Sequence, residues 1–158
     1  MIIMQPNKID ILDVATYLIQ HQNRNDYAPF KIQNLAFWVY SKYLIDFNYP
    51  MFNNDFQSWP YGAVSLKLYN TLSREKTPLN PHHKIKKNYD ENIFTQQEKE
   101  IMDYIIKKYG SKTRNAIATI IQKPYSIWCR CYISQYFALN NIPDKLIQNY
   151  YSRQNRKV

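Results

Sequence analysis

From residue 10 to 22 the chain reads DILDVATYLIQHQ, with Ile11, Leu12, Ala15, Leu18 and Ile19 at helical spacing. Asp10 stands where an N-cap belongs, and Asn23-Arg24-Asn25-Asp26 reads as a polar stop. A second helix is predicted after Pro29. Its stripe is Ile32, Leu35, Ala36, Val39, Tyr40, Tyr43 and Phe47, with Lys31, Asn34, Lys42 and Asp46 mainly off it. Phe37 and Trp38 make this helix apolar nearly all round, the pattern of a central element contacted from two sides. Tyr49-Pro50 ends it. Asp55–Trp59 alternates and reads as extended, and Pro60 keeps Trp59 out of the helical region. Gly62 marks a special backbone conformation or a close approach. Ala63 to Leu72 is predicted as a short helix with Val64, Leu68 and Leu72 on one side.

Residues 73–93 form the one long polar stretch, and they separate an N-terminal from a C-terminal helical group. Loops of this length are uncommon and are usually functional or mobile. Phe94-Thr95-Gln96-Gln97-Glu98 is a helix start: Thr95 caps, Glu98 closes a capping box, and Phe94 is placed to staple onto a following apolar residue. Ile101, Met102, Ile105 and Ile106 carry the stripe onward, and Gly110 is read as a left-handed C′ glycine. Thr113–Gln122 predicts a further helix, broken by Pro124, and Tyr125–Tyr132 a short one carrying Trp128. Ile142-Pro143-Asp144 starts a last helix with Pro143 at N1 and Leu146, Ile147, Tyr150 and Tyr151 on its apolar side. Ser152 to Val158 reads as a basic tail that frays. The expectation is a mainly α, compact single domain of six to seven helices with one or two short β-strands. Its core spans about residues 9–151, its polar loop 73–93 and its tail 152–158.

Composition narrows the function classes. Two glycines 48 positions apart, Gly62 and Gly110, exclude both a P-loop and a dinucleotide fingerprint. Fifteen tyrosines predict many boundary positions where an apolar ring is buried and its hydroxyl seeks a partner. The net charge of +9 is uneven: residues 1–80 hold seven basic and six acidic side chains, residues 81–158 fourteen and six. A basic half attracts nucleic acid, an anionic surface or an acidic protein. The scattered lysines favour the plainer reading of a solvated surface. Cys129 and Cys131, two apart, are read as free thiols of a reducing compartment. No signal-peptide pattern opens the chain, and the longest uncharged stretch, Cys131–Pro143, is 13 residues and polar, so a cytoplasmic protein without a membrane span is expected.

Chemistry is sparse. His21, His82 and His83 fit no zinc spacing, and the pairs Asp10/Asp13 and Glu98/Glu100 are better explained as helix N-terminal charges. No catalytic residue, metal or cofactor is assigned, and a non-enzymatic protein is expected. For nucleic acid, Lys84, Lys86 and Lys87 in the loop and Arg153, Arg156 and Lys157 in the tail are candidate phosphate contacts. Ile106–Ile117, around Gly110, is a weak helix-turn-helix candidate.

Two segments carry a resemblance. One is Pro29-Phe30-Lys31-Ile32-Gln33-Asn34-Leu35-Ala36-Phe37-Trp38-Val39-Tyr40. The other is Asp55-Phe56-Gln57-Ser58-Trp59-Pro60-Tyr61-Gly62-Ala63-Val64, with Tyr69 five positions on. Together they resemble the Panacea domain family of GepA-like and SocA-like phage-associated proteins, with its Lys-Leu-Gln-Lys-Leu-Leu-Tyr-Tyr helix and its Trp-x-Tyr-Gly-Pro-Val segment. Phe94 to Gly110, Trp128 and Ile142–Tyr151 are similar to later parts of that family, so the likeness covers most of residues 9–151. Ala63 stands where the family has Pro, the acidic residue after Val64 is absent, and the stretch between Trp128 and Ile142 diverges.

The resemblance implies a compact helical domain that acts as an antitoxin of a toxin–antitoxin system. It would neutralise a cognate toxin encoded beside it, in one branch as a proteolytic adaptor to a ClpXP-type protease. The motif residues are then Lys31, Gln33, Leu35, Trp59, Tyr61, Gly62, Val64, Tyr69 and Trp128. Of these, Trp59, Tyr61 and Trp128 are expected in the core rather than on a partner. Lys31 and Gln33 are expected to hydrogen-bond the Trp59–Gly62 turn. The competing reading is a basic nucleic-acid-binding regulator of phage or mobile-element origin.

Overall fold

The computed structural model describes residues 8–75, 77–133, 141–153 and 156–158. Among these it has seven α-helices, one 3₁₀ turn and one two-stranded antiparallel sheet. The helices are α1 (Ile11–Gln20), α2 (Pro29–Phe47), α3 (Leu66–Leu72), α4 (Gln96–Tyr109), α5 (Arg114–Ile121), α6 (Ile127–Ile133) and α7 (Asp144–Ser152); the strands are β1 (Phe56–Trp59) and β2 (Gly62–Ser65). The fold is mainly α, as the sequence pattern predicts.

α2 is the axis. Every residue from Lys31 to Ser41 is buried, and the helix packs on α1, α3, α4, α5, α7 and β2. Trp38 stacks on Tyr109 of α4 at 3.9 Å between ring centroids, and Phe37 meets Phe56 of β1 edge-on at 5.2 Å. Such burial takes the off-stripe Lys31 and Asn34 inside as well, so each needs a partner. Lys31 Nζ pairs with Asp26 at 3.3 Å and lies over the Tyr27 ring. Burial pulls its pKa down from the ordinary lysine value, against the pull of the Asp26 carboxylate.

The predicted caps are present. Asp10 and Asp13 form a capping box on α1, and Thr95 and Glu98 form one on α4. Phe94 packs edge-on against Tyr17 of α1 at 5.6 Å between ring centroids. α7 is docked by a long-range bond, Tyr40 Oη donating to Asp144 Oδ1 at 2.5 Å, with Asn54 Nδ2 also on that oxygen.

Five expectations need correction. The helix over Ala63–Leu72 starts only at Leu66, because Gly62–Ser65 pairs with β1 as a strand. Gly110 is not left-handed: its φ is −63°, and what demands glycine there is space, since a Cβ would strike Tyr27 Oη and the Ile106 carbonyl and lie 2.8 Å from Asn23 Oδ1. Pro143 is the N-cap of α7, not its first residue. The polar stretch 73–93 is strapped down rather than free. Leu79 is buried and its N–H donates to Tyr27 O, while Lys86 Nζ reaches Asp13 at 2.8 Å and Asp10 at 3.4 Å. Val158 in the predicted fraying tail is buried, and its main-chain oxygen accepts from Lys108 Nζ at 2.6 Å. The segment 134–140, part of the divergent stretch, lies outside the described residues.

Three stability predictions follow from these contacts. Gly110→Ala is expected to cost about 1–3 kcal/mol in urea unfolding, by overpacking against Tyr27. Tyr27→Phe in the same chain should recover part of that loss, because it removes the hydroxyl that the Cβ strikes. Gln33→Leu strips the N–H and carbonyl of Ser65 of their partner (Ser65 N to Gln33 Oε1 at 2.9 Å, Gln33 Nε2 to Ser65 O at 3.1 Å). It should cost about 2–4 kcal/mol and speed hydrogen exchange at Ser65.

The third concerns pH. Burial raises the Asp10 pKa, but the Lys67 hydrogen bond, the Asp13 N–H and the charges of Lys86 and Lys67 outweigh it and hold the carboxyl below its ordinary 3.8. Its stabilising contribution is therefore complete above the unfolded-state value and is lost as pH falls through the lower folded one. Melting temperature should drop on acidification below about pH 4. A Lys67→Met, Lys86→Met double variant should show a shallower drop.

Candidate functional site

The β1–β2 hairpin is held from three directions. On the α2 side, Gln33 forms the reciprocal pair with Ser65, and Asn34 Oδ1 accepts from Ala63 N at 3.3 Å. These two amides pair with the outer edge of β2, where a third strand would otherwise lie. On the α6 side, Trp128 Nε1 donates to Trp59 O at 2.6 Å, and Ser58 Oγ donates to Trp128 O at 3.2 Å. At the tip, Gln122 Nε2 donates to Pro60 O at 3.0 Å. Gly62 follows the two-residue turn at φ +133°, which side chains rarely allow, and a Cβ there would lie 2.7 Å from Asn34 Oδ1. Thus β2 passes over α2 close enough for the amides to bond it only because residue 62 has no side chain.

The expected bonds of Lys31 and Gln33 to the Trp59–Gly62 turn are not what forms. Gln33 bonds Ser65 at the far end of β2, Asn34 takes the place nearest the turn, and Lys31 faces Asp26. Leu35 is fully buried.

Five motif residues, Gln33, Trp59, Tyr61, Val64 and Tyr69, line one cleft of about 210 Å³ between the start of α2, the hairpin and α3. Its other walls include Phe30 and Leu72, and Arg114 at the first position of α5 closes one end. Tyr61 is not in the core: it is 63% exposed, and Tyr69 is 43% exposed. Trp59 is half-buried, its indole N–H satisfied by Gln57 Oε1 at 2.9 Å, and its ring lies 4.8 Å from that of Tyr69. The ring is therefore pinned, and its own hydrogen-bond donor is already used.

Arg114 and Asn34 belong to this site although neither was singled out for it. Arg114 carried no motif signal, and its guanidinium lies over the Phe30 ring at 5.1 Å. Asn34 stood beside the motif glutamine, which was the one available hint.

Trp128 faces a second cleft, of about 300 Å³, with Trp38, Tyr109 and Tyr151 in its walls and Lys123 and Lys157 at its edge. Of the phosphate-contact candidates, Lys84, Lys87 and Arg153 are exposed, whereas Lys86 is engaged with Asp10 and Asp13. Arg156 is half-buried over the Tyr150 ring at 4.3 Å. Of the loop lysines, Lys86 is thus attached at the start of α1, and Arg156 lies against α7.

His21 stacks on Tyr17 and hydrogen-bonds Glu91, and His83 lies 3.5 Å from Glu75. Both cysteines are free. Burial pushes the Cys131 thiol pKa up, only partly offset by a Ser58 hydrogen bond. Among the described residues no group of three or more His, Cys, Asp or Glu is placed to hold a metal ion, and no helix is long and apolar enough to cross a membrane.

A family model described as "Antitoxin SocA-like, Panacea domain" matches residues 33–128. That span opens at Gln33, takes in the hairpin, α3 and Arg114, and closes at Trp128. No curated protein and no solved structure matches the chain. Matched over about three fifths of its length, and with the motif residues assembled around one hairpin, the chain belongs to the SocA-like Panacea-domain family.

Proposed function

We propose that this protein is a non-enzymatic antitoxin that binds and masks a cognate toxin protein encoded beside it. The family description supports a toxin partner in general. The observation that carries the reading here is how the motif residues divide. Gln33, Gly62 and Trp128 are consumed in holding the hairpin, while Trp59, Tyr61 and Tyr69 form an aromatic surface at its edge. A motif that builds and presents a surface fits recognition better than group transfer. Masking requires a stable complex and no reacting groups. Delivery of the bound toxin to a ClpXP-type protease is the finer version of the same role, and it would use a surface apart from the one that holds the toxin.

A second reading, nucleic-acid binding, has one observation in its favour. The second cleft combines aromatic walls with the cations Lys123, Arg156 and Lys157 and, among the described residues, has no acidic side chain in its lining.

One experiment separates the two. The open reading frame adjacent to this one is expressed with and without the protein in growing cells. Growth arrest relieved by co-expression, with a stable complex on affinity purification, is the expected outcome. In a strain lacking the protease, an adaptor's partner should accumulate while still bound. No arrest and no complex, together with RNA or single-stranded DNA binding that weakens steeply with added salt, would instead favour the second reading.

A further inference from the structure

The cleft beside the hairpin has a composition that selects its occupant. At about 210 Å³ it is smaller than the roughly 300–1,000 Å³ of small-molecule sites, and it is open at the surface. It suits one or two large side chains of a partner rather than a cofactor. Trp, Tyr and Arg dominate the energetic centres of protein interfaces, and Trp59, Tyr61, Tyr69 and Arg114 are those residue types gathered at one place. The wall is preorganised: Gln57 fixes the Trp59 ring, and Gln122 fixes the turn that carries Tyr61. Less ordering entropy is then lost on binding at the Trp59 ring and at the turn backbone.

The cleft's lining carries one cation, Arg114, and one anion, Glu75, and they differ in their partners. Glu75 at its border stands 3.5 Å from His83. Arg114 is exposed, has its guanidinium over the Phe30 ring at 5.1 Å, and has no carboxylate within 4.0 Å among the described residues. It also opens α5, whose first-turn N–H groups add positive potential. A guanidinium held on an aromatic ring keeps its edge free for a carboxylate.

We infer that this cleft docks a short segment of the toxin in which one or two large apolar side chains sit on Trp59, Tyr61 and Tyr69, and an adjacent Asp or Glu pairs with Arg114. The partner's identity as a toxin rests on the proposed antitoxin role; the apolar–acidic chemistry of the segment rests on the cleft alone.

Two measurements on the full chain test this separately. In the first, a displayed library of random twelve-residue peptides is selected on the wild-type protein. Selection should enrich peptides carrying large apolar residues next to Asp or Glu. Their affinity should fall at least about tenfold on Tyr61→Ala and on Arg114→Glu, and change little on Lys107→Glu, an equal charge change at an exposed position of α4 outside the cleft. Tyr61 and Arg114 are exposed, so both variants should keep the wild-type circular dichroism spectrum and melting temperature. Enrichment of basic or purely polar peptides, of none, or of peptides indifferent to both variants would overturn the inference. Self-association abolished by Tyr61→Ala in sedimentation would also overturn it, by making a second copy the occupant.

In the second, the same three variants are co-expressed with the neighbouring toxin. Loss of protection with Tyr61→Ala and Arg114→Glu alone supports the inference. Full protection by both would remove the cleft as the docking site while leaving the antitoxin role intact. Failure of the wild-type protein to protect counts against that role, and the peptide selection then decides the chemistry of the cleft.

Discussion

The reciprocal amide bond between Gln33 and Ser65, with Asn34 beside it on Ala63, is the constraint on which the rest of the molecule turns. All of these groups are buried. A two-stranded hairpin is marginal in water, and one edge of β2 would reach the interior with unpaired N–H and carbonyl groups. Two amide side chains on the central helix satisfy that edge in place of a third strand. The cost of breaking such an arrangement exceeds the gain of making it, because unpaired groups would stay buried. The bonds therefore specify where the hairpin sits more than they add to stability.

Placing the hairpin places everything near it. Phe56 on β1 meets Phe37 and Tyr40 of α2, and its carbonyl accepts from Ile142 N, which leads into α7. Ser58 and Trp59 are bonded to Trp128, which fixes α6. Ser65 goes on to cap α3 through its hydroxyl, accepting from Leu68 N at 3.2 Å. A single residue thus ends the strand, receives the α2 amide and starts the next helix. The aromatic cleft is the outer consequence of the same placement. Its walls belong to the start of α2, the hairpin and α3, and their relative position is set by bonds made beneath it.

Much of this was legible in the sequence where the signal is local. The N-cap at Asp10, the capping box at Thr95, the near-continuous apolarity of α2 and the demand for glycine at position 62 are each carried by neighbouring residues, and each appears as expected. What escaped depends on residues distant in the chain. Gly110 looked like a helix terminator, because glycine after a basic helix end is the common local cause. The space is also taken by Tyr27, a ring that arrives from the loop before α2, and by the Ile106 carbonyl of the helix itself. The strand at Gly62–Ser65 was hidden because Val64, Leu68 and Leu72 also fit a helical stripe, and only pairing with β1 decides between the two. The loop 73–93 looked free by composition, yet Leu79 and Lys86 find partners on the first thirty residues of the chain. Arg114 at the cleft could not be read from its neighbours, since what defines it is a phenylalanine on another helix.

Tyr61 shows how one motif divides between holding the fold and presenting a surface. At the tip of a hairpin whose turn is fixed by Gln122, its ring is the one large aromatic of the motif left mainly in solvent. Burying it would have been the cheaper use of a tyrosine, and a turn of this kind is well served by small polar residues. Exposing it beside Trp59 and Tyr69 instead builds a patch whose hydration is unfavourable and whose shape is held in advance. The buried half of the motif resists change because any substitution strands a polar group or fills a space that backbone needs. The exposed half is free of that restriction. On the docking role proposed for the cleft, substitutions at Tyr61, Tyr69 and Arg114 would alter recognition while the bonds of Gln33 and Trp128 and the close approach at Gly62 stay as they are.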